Sequence, residues 1–416
     1  MSTTKTDILV YADWLGMKGP KLIGVLSAQQ AKGKKAFSFE YSHDWIESTE
    51  QIVLDPDIGW YKGQQYPDSK ENFGVFFDSM PDTWGRTLMK RRSVLNAQEE
   101  GKPAPNLYEI DYLLGVFDEC RMGALRFKLD SEGPFLDNNQ NTTTPPIGNI
   151  RELQHAAEIM ESDEDSEVVK KWLALLLAPG SSLGGARPKS NVRDEHGDLW
   201  IAKFPSNRDT IDKAAWEFLA YKLALSAGIE MSLSRIEKIS GNYHTFFTKR
   251  FDRLKQERIH FASAMTMTGN NEETIKEKPA SYLDIAEFIQ YSGSQNKNDL
   301  HQLWKRIVFN IAISNTDDHL RNHGFILTKH GWKLSPAFDM NPSIEKDGLA
   351  LNIDSDNNAL DFELAKSVGE YFQLTDSDME TILMQVKTVV SGWRLVAHNI
   401  GISRSEKEIM ASAFRY

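Results

Sequence analysis

The sequence contains one cysteine, Cys120, so its 416 residues can form neither an internal disulfide nor a metal site built from several thiolates. Free cysteines are commonly buried, and we expect Cys120 to be a packed thiol rather than a reactive one. Scarce cysteine is also typical of proteins in a reducing compartment. Disulfide scaffolds and cysteine-based metal domains are therefore excluded.

Long hydrophobic runs are also missing. The longest apolar stretch, WLALLLAPG from Trp172, is much shorter than the roughly 20 residues that a membrane-spanning helix needs. The first residues, MSTTKTDILVYADW, lack the basic segment followed by an apolar one that a secretory signal requires. We therefore expect a cytoplasmic protein that does not engage a membrane.

The chain has no excess of positive charge. Its 48 Lys and Arg residues face 59 Asp and Glu residues, and the formal net charge is −11. Affinity for DNA rests largely on cations that displace counterions, so this chain is a poor nucleic-acid binder by itself. The 40% hydrophobic and 26% charged residues are instead typical of a globular protein with a sizeable core.

The N-terminal third has the pattern of a small α+β unit. DILVYAD, KLIGVLS and AFSFEYSHDWI predict three strands, and FFDSMPDTWGRTLMKRR then has helical spacing with an aspartate cap and a basic end. The polar stretch from Asp130 to Ile150 is rich in Pro and Gly and is typical of a linker or a long loop. We predict domains at residues 1–130, 131–249 and 250–416.

The pattern changes after the linker. LWIAKFP predicts a strand, DKAAWEFLAYKLALSAGI predicts a helix, and RIEKIS with HTFFTKRFDR predicts a hairpin whose turn is GNY. The rest of the chain has mainly helical spacing, clearest in SYLDIAEFIQYSG and LHQLWKRIVFNIAISN. The sequence therefore predicts an α+β fold with a mainly helical C-terminal part.

The segment SSLGGARPKS, at residues 181–190, combines two glycines with small neighbours. Glycines let main-chain N–H groups approach a phosphate closely, since no side chain blocks the approach. The spacing is not that of a P-loop. A phosphate-binding loop and an ordinary turn both remain open from this segment alone.

Lys203 lies in the apolar stretch WIAKFP, where an ammonium group is costly unless it meets an anion. A lysine on an edge strand whose end reaches water is the alternative. The helix that follows carries Glu217. A strand lysine paired with a helix glutamate is how kinases position ATP phosphates, so the order of these two residues favours a phosphate clamp.

The segment NTDDHLRNHGF, at residues 315–325, places Asp317 and Asn322 in the D-x-x-x-x-N spacing of a kinase catalytic loop. In that loop the aspartate accepts a proton from the attacking hydroxyl and the asparagine holds magnesium. Asp339 follows a β-type stretch, where the second metal-holding aspartate belongs, although Phe-Asp-Met replaces Asp-Phe-Gly. Together with the glycine-rich loop and the lysine, this order predicts a two-lobed phosphotransferase.

His319 and His323 offer an alternative, because residues four apart can share one face of a helix and bind zinc. No glutamate lies between them, as the H-E-x-x-H motif requires, and the neighbouring Asn, Asp and Gly favour a loop. We therefore expect His319 to brace the catalytic loop through hydrogen bonds.

These motifs resemble those of HipA-type kinases, the toxin components of bacterial toxin–antitoxin pairs. The resemblance rests on SSLGGARPK, RFDR, NTDDHLRNHGFIL and LSPAFDMNP, and on FFDSMPDTWGRTLMKRR and YLLGVFDECRMGALRF in the N-terminal part. It spans nearly the whole chain, and ordinary protein kinases have neither N-x-D-x-H-x-x-N nor D-x-N-P.

The resemblance implies an ATP- and Mg²⁺-dependent serine/threonine kinase. The implied fold is two-lobed and protein-kinase-like, with an additional N-terminal α+β subdomain and a mainly helical C-lobe. Asp317 would be catalytic, and Asn322 and Asp339 would hold Mg²⁺. Lys203 would hold ATP phosphates, and Glu217 would support it.

The resemblance also implies a hinge at TKRFDR, residues 248–253. Main-chain groups of Lys249 and Phe251 would meet the adenine, and Asp252 would reach the ribose. The complete implied set for ATP is Ser182, Gly184, Gly185, Ala186, Lys203, Lys249, Phe251, Asp252 and His319.

The regulatory autophosphorylation serine of HipA-type kinases corresponds to Ser182, with Ser181 as its neighbour. A phosphoserine adds about −1.5 to −2 charge, here in the loop where the phosphates of ATP would lie. Repulsion between like charges would then inactivate the enzyme.

The family also implies partners. Its members act on a translation component, commonly an aminoacyl-tRNA synthetase, and bind a HipB-like helix-turn-helix antitoxin, through which they reach operator DNA. One departure concerns the target. The segment after the hinge reads HFASAMTMTGNN rather than the ED-CQ type of the best-known branch, so the protein substrate is expected to differ.

Two other functions remain as alternatives. A small-molecule kinase of the aminoglycoside or choline type shares the aspartate and asparagine arrangement, but it lacks this N-terminal subdomain. A catalytically silent co-repressor or scaffold that binds an antitoxin is the other, although the residues expected for catalysis are all present. Phosphate transfer that depends on Asp317 would separate the three.

Overall fold

The computed structural model describes residues 5–31, 34–49, 51–139, 143–161, 173, 176 and 185–416. The fold is α+β, as predicted. Compact packing divides the chain into two units, Met1–Asn207 with Asp252–Ala262, and Arg208–Phe251 with Ser263–Tyr416. The short segment after the predicted hinge therefore belongs to the first unit, and the domain limits at 130 and 249 stay a prediction.

A four-stranded antiparallel sheet with the order β3-β2-β1-β4 organises the first unit. Along β1 the buried side chains Ile8, Val10 and Ala12 alternate with more exposed ones, which is the pattern of a sheet with one face on a core. The strands are β1 Lys5–Ala12, β2 Lys21–Ala31, β3 Lys34–Tyr41 and β4 Leu125–Lys128.

The three predicted N-terminal strands are confirmed, but the third is shorter than predicted. It ends at Tyr41, because the hydroxyl of Ser42 accepts a hydrogen bond from the N–H of Trp45 at 3.2 Å and caps a helix. The helices of this unit are α1 His43–Ser48, α2 Gly74–Phe77, α3 Thr83–Glu99, α4 Glu109–Leu114 and α5 Ile150–Glu161.

The single helix predicted from FFDSMPDTWGRTLMKRR is two helices. Pro81 has no N–H and cannot continue α2, and Asp82 starts α3 by accepting a hydrogen bond from the N–H of Gly85 at 2.8 Å. Helix α3 also extends past the basic residues to Glu99. Four short strands complete this unit: β5 Lys189–Arg193, β6 Leu199–Lys203, β9 Arg253–Leu254 and β10 Glu257–Arg258.

Arg121 is a buried cation that organises the loops of the first unit. Burial lowers the pKa of its guanidinium to about 9, so the group stays protonated at neutral pH. Its neighbour Cys120 is buried, as predicted for a packed thiol. Arg121 donates to the carbonyls of Ser79, Leu113, Val116 and Leu136, at 2.8, 2.8, 3.0 and 2.8 Å.

We expect His260 to make the first unit sensitive to acid. Its ring stacks on Trp14 with centroids 5.5 Å apart, and burial lowers the pKa of His260 to about 3. The stability that this neutral imidazole contributes is present above pH 6.5, the pKa of an unfolded histidine, and is lost as the pH falls toward 3. The free energy of unfolding should drop by about 2 kcal/mol from this group between pH 7 and pH 5.

Urea unfolding of the wild type and His260→Phe at these two pH values measures this term. The variant should lose less stability on acidification than the wild type. Asp55 supplies a contribution of opposite sign in both proteins. Burial raises the pKa of its carboxyl to about 6, so the folded state loses stability as the pH rises and this buried group ionises. Equal pH dependence in the two proteins would contradict the prediction.

The second unit is mainly helical. Helix α10, Asn296–Ile313, lies at its centre, and its buried Trp304 donates from Nε1 to the carbonyl of Ala365 at 2.8 Å. The predicted helices near residues 213–226, 282–292 and 296–313 are confirmed. The helices are α6 Lys213–Ser226, α7 Ala264–Met267, α8 Glu272–Glu277, α9 Tyr282–Ser292, α10 Asn296–Ile313, α11 Phe362–Ser367, α12 Asp376–Ser391, α13 Trp393–Ile400 and α14 Arg404–Ile409.

Two antiparallel hairpins accompany these helices. The first, β7–β8, is the one predicted around GNY, and the second, β12–β13, leads to the predicted metal-binding aspartate. The strands are β7 Ser234–Glu237, β8 Thr245–Lys249, β12 Gly324–Thr328 and β13 Gly331–Leu334, while β11 Phe261–Ser263 lies at the boundary of the units. Within the described ranges, no helix combines the length and apolar character needed to cross a bilayer.

Candidate active site

Helix α10 ends where the candidate catalytic loop begins. Its C-cap, Ser314, has the left-handed conformation with φ 50°, which stops the helix. The N–H of the next residue, Asn315, donates back to the carbonyl of Asn310 at 2.8 Å. The left-handed C-cap and this hydrogen bond therefore fix the conformation of the chain at the start of the loop.

The two adjacent aspartates of the loop have opposite environments. The side chain of Asp317 is 77% exposed, whereas that of Asp318 is 2% exposed. Oδ2 of Asp318 accepts hydrogen bonds from Tyr282 Oη at 2.5 Å and from Asn310 Nδ2 at 2.8 Å, and it lies 2.7 Å from His323 Nε2. Burial, followed by the charge of Asp318, raises the pKa of Tyr282 well above its usual range. Asp318 thus fixes the loop to the buried core, while Asp317 faces solvent.

Asn322 is tied directly to the loop. Its Nδ2 donates to the main-chain carbonyl of Asp317 at 3.0 Å, and its N–H donates to the carbonyl of His319 at 2.8 Å. Because Nδ2 makes this bond, the amide oxygen Oδ1 of Asn322 is not used in it. Amide and carboxylate oxygens are ligands that Mg²⁺ accepts. The donor chemistry of Asn322 therefore fits the predicted metal-binding role.

Asp339 has a left-handed backbone conformation, with φ 58°. This conformation costs a residue other than glycine about 1 kcal/mol or more and is often found at functional sites. Asn341 accompanies it: its Nδ2 donates to Asp339 Oδ1 at 3.4 Å, and its N–H donates to Asn315 Oδ1 at 3.3 Å. Asn341 therefore joins the Asp339 segment to the start of the catalytic loop.

Lys346 brings a positive charge to the same loop. Its Nζ lies 3.6 Å from Asp317 Oδ1, and its side chain is 58% exposed. Three residues earlier, the N–H of Ser343 donates to the carbonyl of Ser314 at 3.1 Å, so this segment is bonded to the C-cap of α10. An exposed ion pair stabilises the fold little, so this contact matters mainly as a cation beside the candidate catalytic carboxylate.

A second histidine, His323, contacts the buried Asp318 below the loop, whereas the bracing role of the His319 side chain stays a prediction. Nδ1 of His319 is buried and has no hydrogen-bond partner among the described residues, whereas His323 contacts the buried Asp318. The physical reason is direction: His319 precedes a short 3-10 turn at Leu320–Asn322, and His323 follows it and points into the core. Tandem aspartates with a histidine five residues after the second are the signal that sequence reasoning passed over.

The predicted hinge residues already have partners within their own units. The N–H of Lys249 donates to the carbonyl of Leu233 at 2.8 Å, and the ring of Phe251 packs on Phe338 with centroids 5.6 Å apart. Both contacts lie in the second unit, and the contacts of these two residues with adenine stay predictions.

Asp252 is fully buried in the first unit. Its Oδ2 accepts hydrogen bonds from the N–H of Gly123 at 2.8 Å and from Arg253 Nη1 at 2.6 Å. A carboxylate held in this way is a structural link, and its burial does not support the ribose contact that the resemblance implied.

The other predicted site residues that the structure describes belong to both units. Lys203 is half-buried at the end of β6, and Glu217 is buried in α6. Gly185 and Ala186 are exposed, and Gly185 has φ 98°, a conformation that glycine adopts readily. Ser181, Ser182 and Gly184 lie outside the described residues.

Comparison with known proteins assigns the chain to a family. A family model described as "HipA-like C-terminal domain" matches residues 181–393. A "Putative kinase" of Haemophilus influenzae is 26% identical over 179 residues, which are 38% of this chain and 52% of that protein. "Putative kinase Y4mE" of Sinorhizobium fredii is 21% identical over 392 residues, 88% of this chain and 80% of that protein.

A solved structure matches nearly the whole chain. HipA of Shewanella oneidensis MR-1, from a complex with HipB and its operator DNA, has a TM-score of 0.64 at 17% identity, covering 98% of this chain and 94% of that one. The fold is therefore the two-lobed, protein-kinase-like α+β fold with an N-terminal α+β subdomain. Because the family model covers more than half of the sequence, the protein belongs to the family that carries the HipA-like C-terminal domain.

Proposed function

We propose that this protein is an ATP- and Mg²⁺-dependent serine/threonine protein kinase of the HipA type, acting as the toxin of a toxin–antitoxin pair in the cytoplasm. The observation that carries the proposal is the contrast between Asp317 and Asp318. Asp317 is exposed on a loop that Asp318 holds rigidly from the core, and Asn322 is bonded to the carbonyl of Asp317. A carboxylate for proton transfer needs both access to a substrate and a fixed position.

Asp317 orients the acceptor hydroxyl and takes its proton as the oxygen attacks. Lys346 lies beside this carboxylate and keeps positive charge near it. The loop itself stays in place because Asp318 has three buried partners.

The proposed sites for the metal ion and for ATP use different residues. Asn322 and Asp339 would hold Mg²⁺ through their side-chain oxygens, the kind of ligand that this ion prefers. ATP would supply the phosphoryl group, and the metal would neutralise its negative charge. Lys203, Lys249, Phe251, His319 and the loop of Ser182, Gly184, Gly185 and Ala186 are the proposed ATP-binding residues, with Glu217 supporting Lys203.

The metal-binding role leads to a prediction for Asn322→Ala. Loss of one oxygen ligand should raise the Mg²⁺ concentration that gives half-maximal transfer by about tenfold or more, a weakening of about 1.4 kcal/mol. Titration of phosphate transfer with Mg²⁺ at saturating ATP measures this change. Asn298→Ala, an exposed asparagine of the same unit, is the control, and an unchanged Mg²⁺ requirement in Asn322→Ala would contradict the role.

The proposed function is tested by transfer of labelled phosphate from Mg·ATP to the purified, initially unphosphorylated protein, followed by peptide mapping. We expect label on Ser182 or Ser181 in the wild type and none in Asp317→Ala. Label that appears only on added aminoglycoside or choline would identify a small-molecule kinase. ATP binding without any transfer would identify a silent co-repressor or scaffold.

We further propose a partner and a substrate. The HipA that this chain resembles in fold was solved with HipB and operator DNA, so a small helix-turn-helix antitoxin is the proposed partner here. The net charge of −11 suits a basic DNA-binding partner and makes direct binding to DNA unfavourable. The proposed substrate is a translation component such as an aminoacyl-tRNA synthetase.

A further inference from the structure

The beginning of α3 contacts the C-terminal end of the glycine-rich segment, and both lie in the first unit. Trp84 makes two of these contacts with main-chain carbonyls. Its N–H donates to Gly185 at 3.4 Å, and its indole Nε1 donates to Lys189 at 3.0 Å. The two carbonyls are four residues apart, so one tryptophan holds both ends of the stretch that leads from the loop into β5.

A buried ion pair reinforces this contact. Lys189 Nζ lies 2.7 Å from Asp82 Oδ2, and each side chain is 4% exposed. The same Nζ donates to the carbonyl of Gly185 at 3.4 Å. Buried charges are costly unless they are paired with good geometry, so such a pair fixes positions more than it adds stability.

Gly185 is exposed and lies beside this ion pair. A Cβ atom added to it would lie 3.3 Å from Lys189 Nζ, and its φ of 98° is a conformation that other residues rarely adopt. Lys189 Nζ thus contacts both the Asp82 carboxylate and the Gly185 carbonyl.

We infer that Asp82, Trp84 and Lys189 form an anchor that holds residues 185–189, the described end of the glycine-rich segment, and thereby positions that segment for the phosphates of ATP. The inference rests on the proposed function and deepens it. A loop whose main-chain N–H groups bind phosphates gains affinity when one of its ends is already fixed, because freedom at that end must otherwise be lost on binding. These are positioning residues, and their effect should fall on nucleotide affinity.

The test uses variants that remove the anchor and keep the local fold. Asp82→Asn retains a good N-cap for α3 but removes the charge that pairs with Lys189. Lys189→Met keeps an unbranched side chain of similar length. Trp84→Phe keeps a buried ring and loses only the indole N–H, so it is the mildest of the three.

Affinity is measured with Mg²⁺ and a non-hydrolysable ATP analogue, and turnover is measured separately at saturating ATP. We expect Asp82→Asn and Lys189→Met to raise the Kd by about tenfold and Trp84→Phe by about threefold, with kcat changed much less. All measurements are made well below the lowest unfolding midpoint.

Lys70→Met is the matched control. Lys70 forms another buried ion pair in the same unit, with Asp57 at 3.1 Å and side-chain exposures of 3% and 12%. Its loss should lower stability and leave the Kd unchanged. Unchanged Kd in folded Asp82→Asn and Trp84→Phe would overturn the anchor, as would an equal rise in Lys70→Met. Because binding needs no turnover, a wild type that binds the analogue but transfers no phosphate would overturn the proposed function alone.

Discussion

Asp317→Asn is expected to lower kcat for phosphate transfer by about 1,000-fold, because the amide cannot accept the proton of the acceptor hydroxyl. The side chain is 77% exposed, and its ion pair with Lys346 spans 3.6 Å, so the free energy of unfolding should stay within about 0.5 kcal/mol of the wild-type value. Steady-state transfer of labelled phosphate and urea unfolding of the same sample measure both quantities.

Binding of ATP provides the control for Asp317→Asn. The substitution keeps the size of the side chain and leaves Asn322 bonded to the main-chain carbonyl of residue 317, so the affinity for Mg·ATP should change little. Transfer within about tenfold of the wild-type rate would show that another group accepts the proton and would remove Asp317 from the catalytic role.

Asp318→Ala should have the opposite effect, with a loss of about 3–5 kcal/mol in the free energy of unfolding. The alanine would leave Tyr282 Oη, Asn310 Nδ2 and His323 Nε2 buried without their common acceptor. These three groups come from α9, α10 and the end of the catalytic loop, so the substitution loosens three elements together. Urea unfolding monitored by tryptophan fluorescence measures the loss.

Asp317→Ala is the matched control for Asp318→Ala, since it removes the same atoms one position earlier on the exposed side of the loop. It should abolish transfer while keeping stability, whereas Asp318→Ala should remove stability first. If both substitutions destabilise the protein equally, the buried network is not what holds the loop.

Much of the fold could be predicted from local patterns. The three N-terminal strands follow from alternating apolar residues, and the strand that ends at Lys203 follows from a short apolar run whose residues 199–202 are all buried. The helix at 213–226 follows from a longer apolar stretch that is buried on most sides. The division between α2 and α3 was missed, although Pro81 and the capping Asp82 mark it. The helical spacing on both sides of the proline concealed the break.

The candidate site shows where local patterns stop. Spacing selects Asp317 and Asn322 as a pair, but it assigns no direction to a side chain, so His319 and His323 could not be told apart. Likewise, Asp252 has the position of a hinge residue in the sequence, yet Gly123 and Arg253 bury its carboxylate in the first unit. Gly123 lies far from Asp252 in the sequence, and no pattern around Asp252 predicts this contact.

The sequence by itself determined the family resemblance, the order of the motifs and the absence of disulfides, because each depends on residue type and spacing. Only the tertiary structure decided which of two neighbouring aspartates is exposed, which histidine holds the loop, and that Asp82 pairs with Lys189 across 107 positions. Burial and partnership are properties of packing. They arise when distant segments exclude water from the same volume, and the charges that remain inside must then find one another.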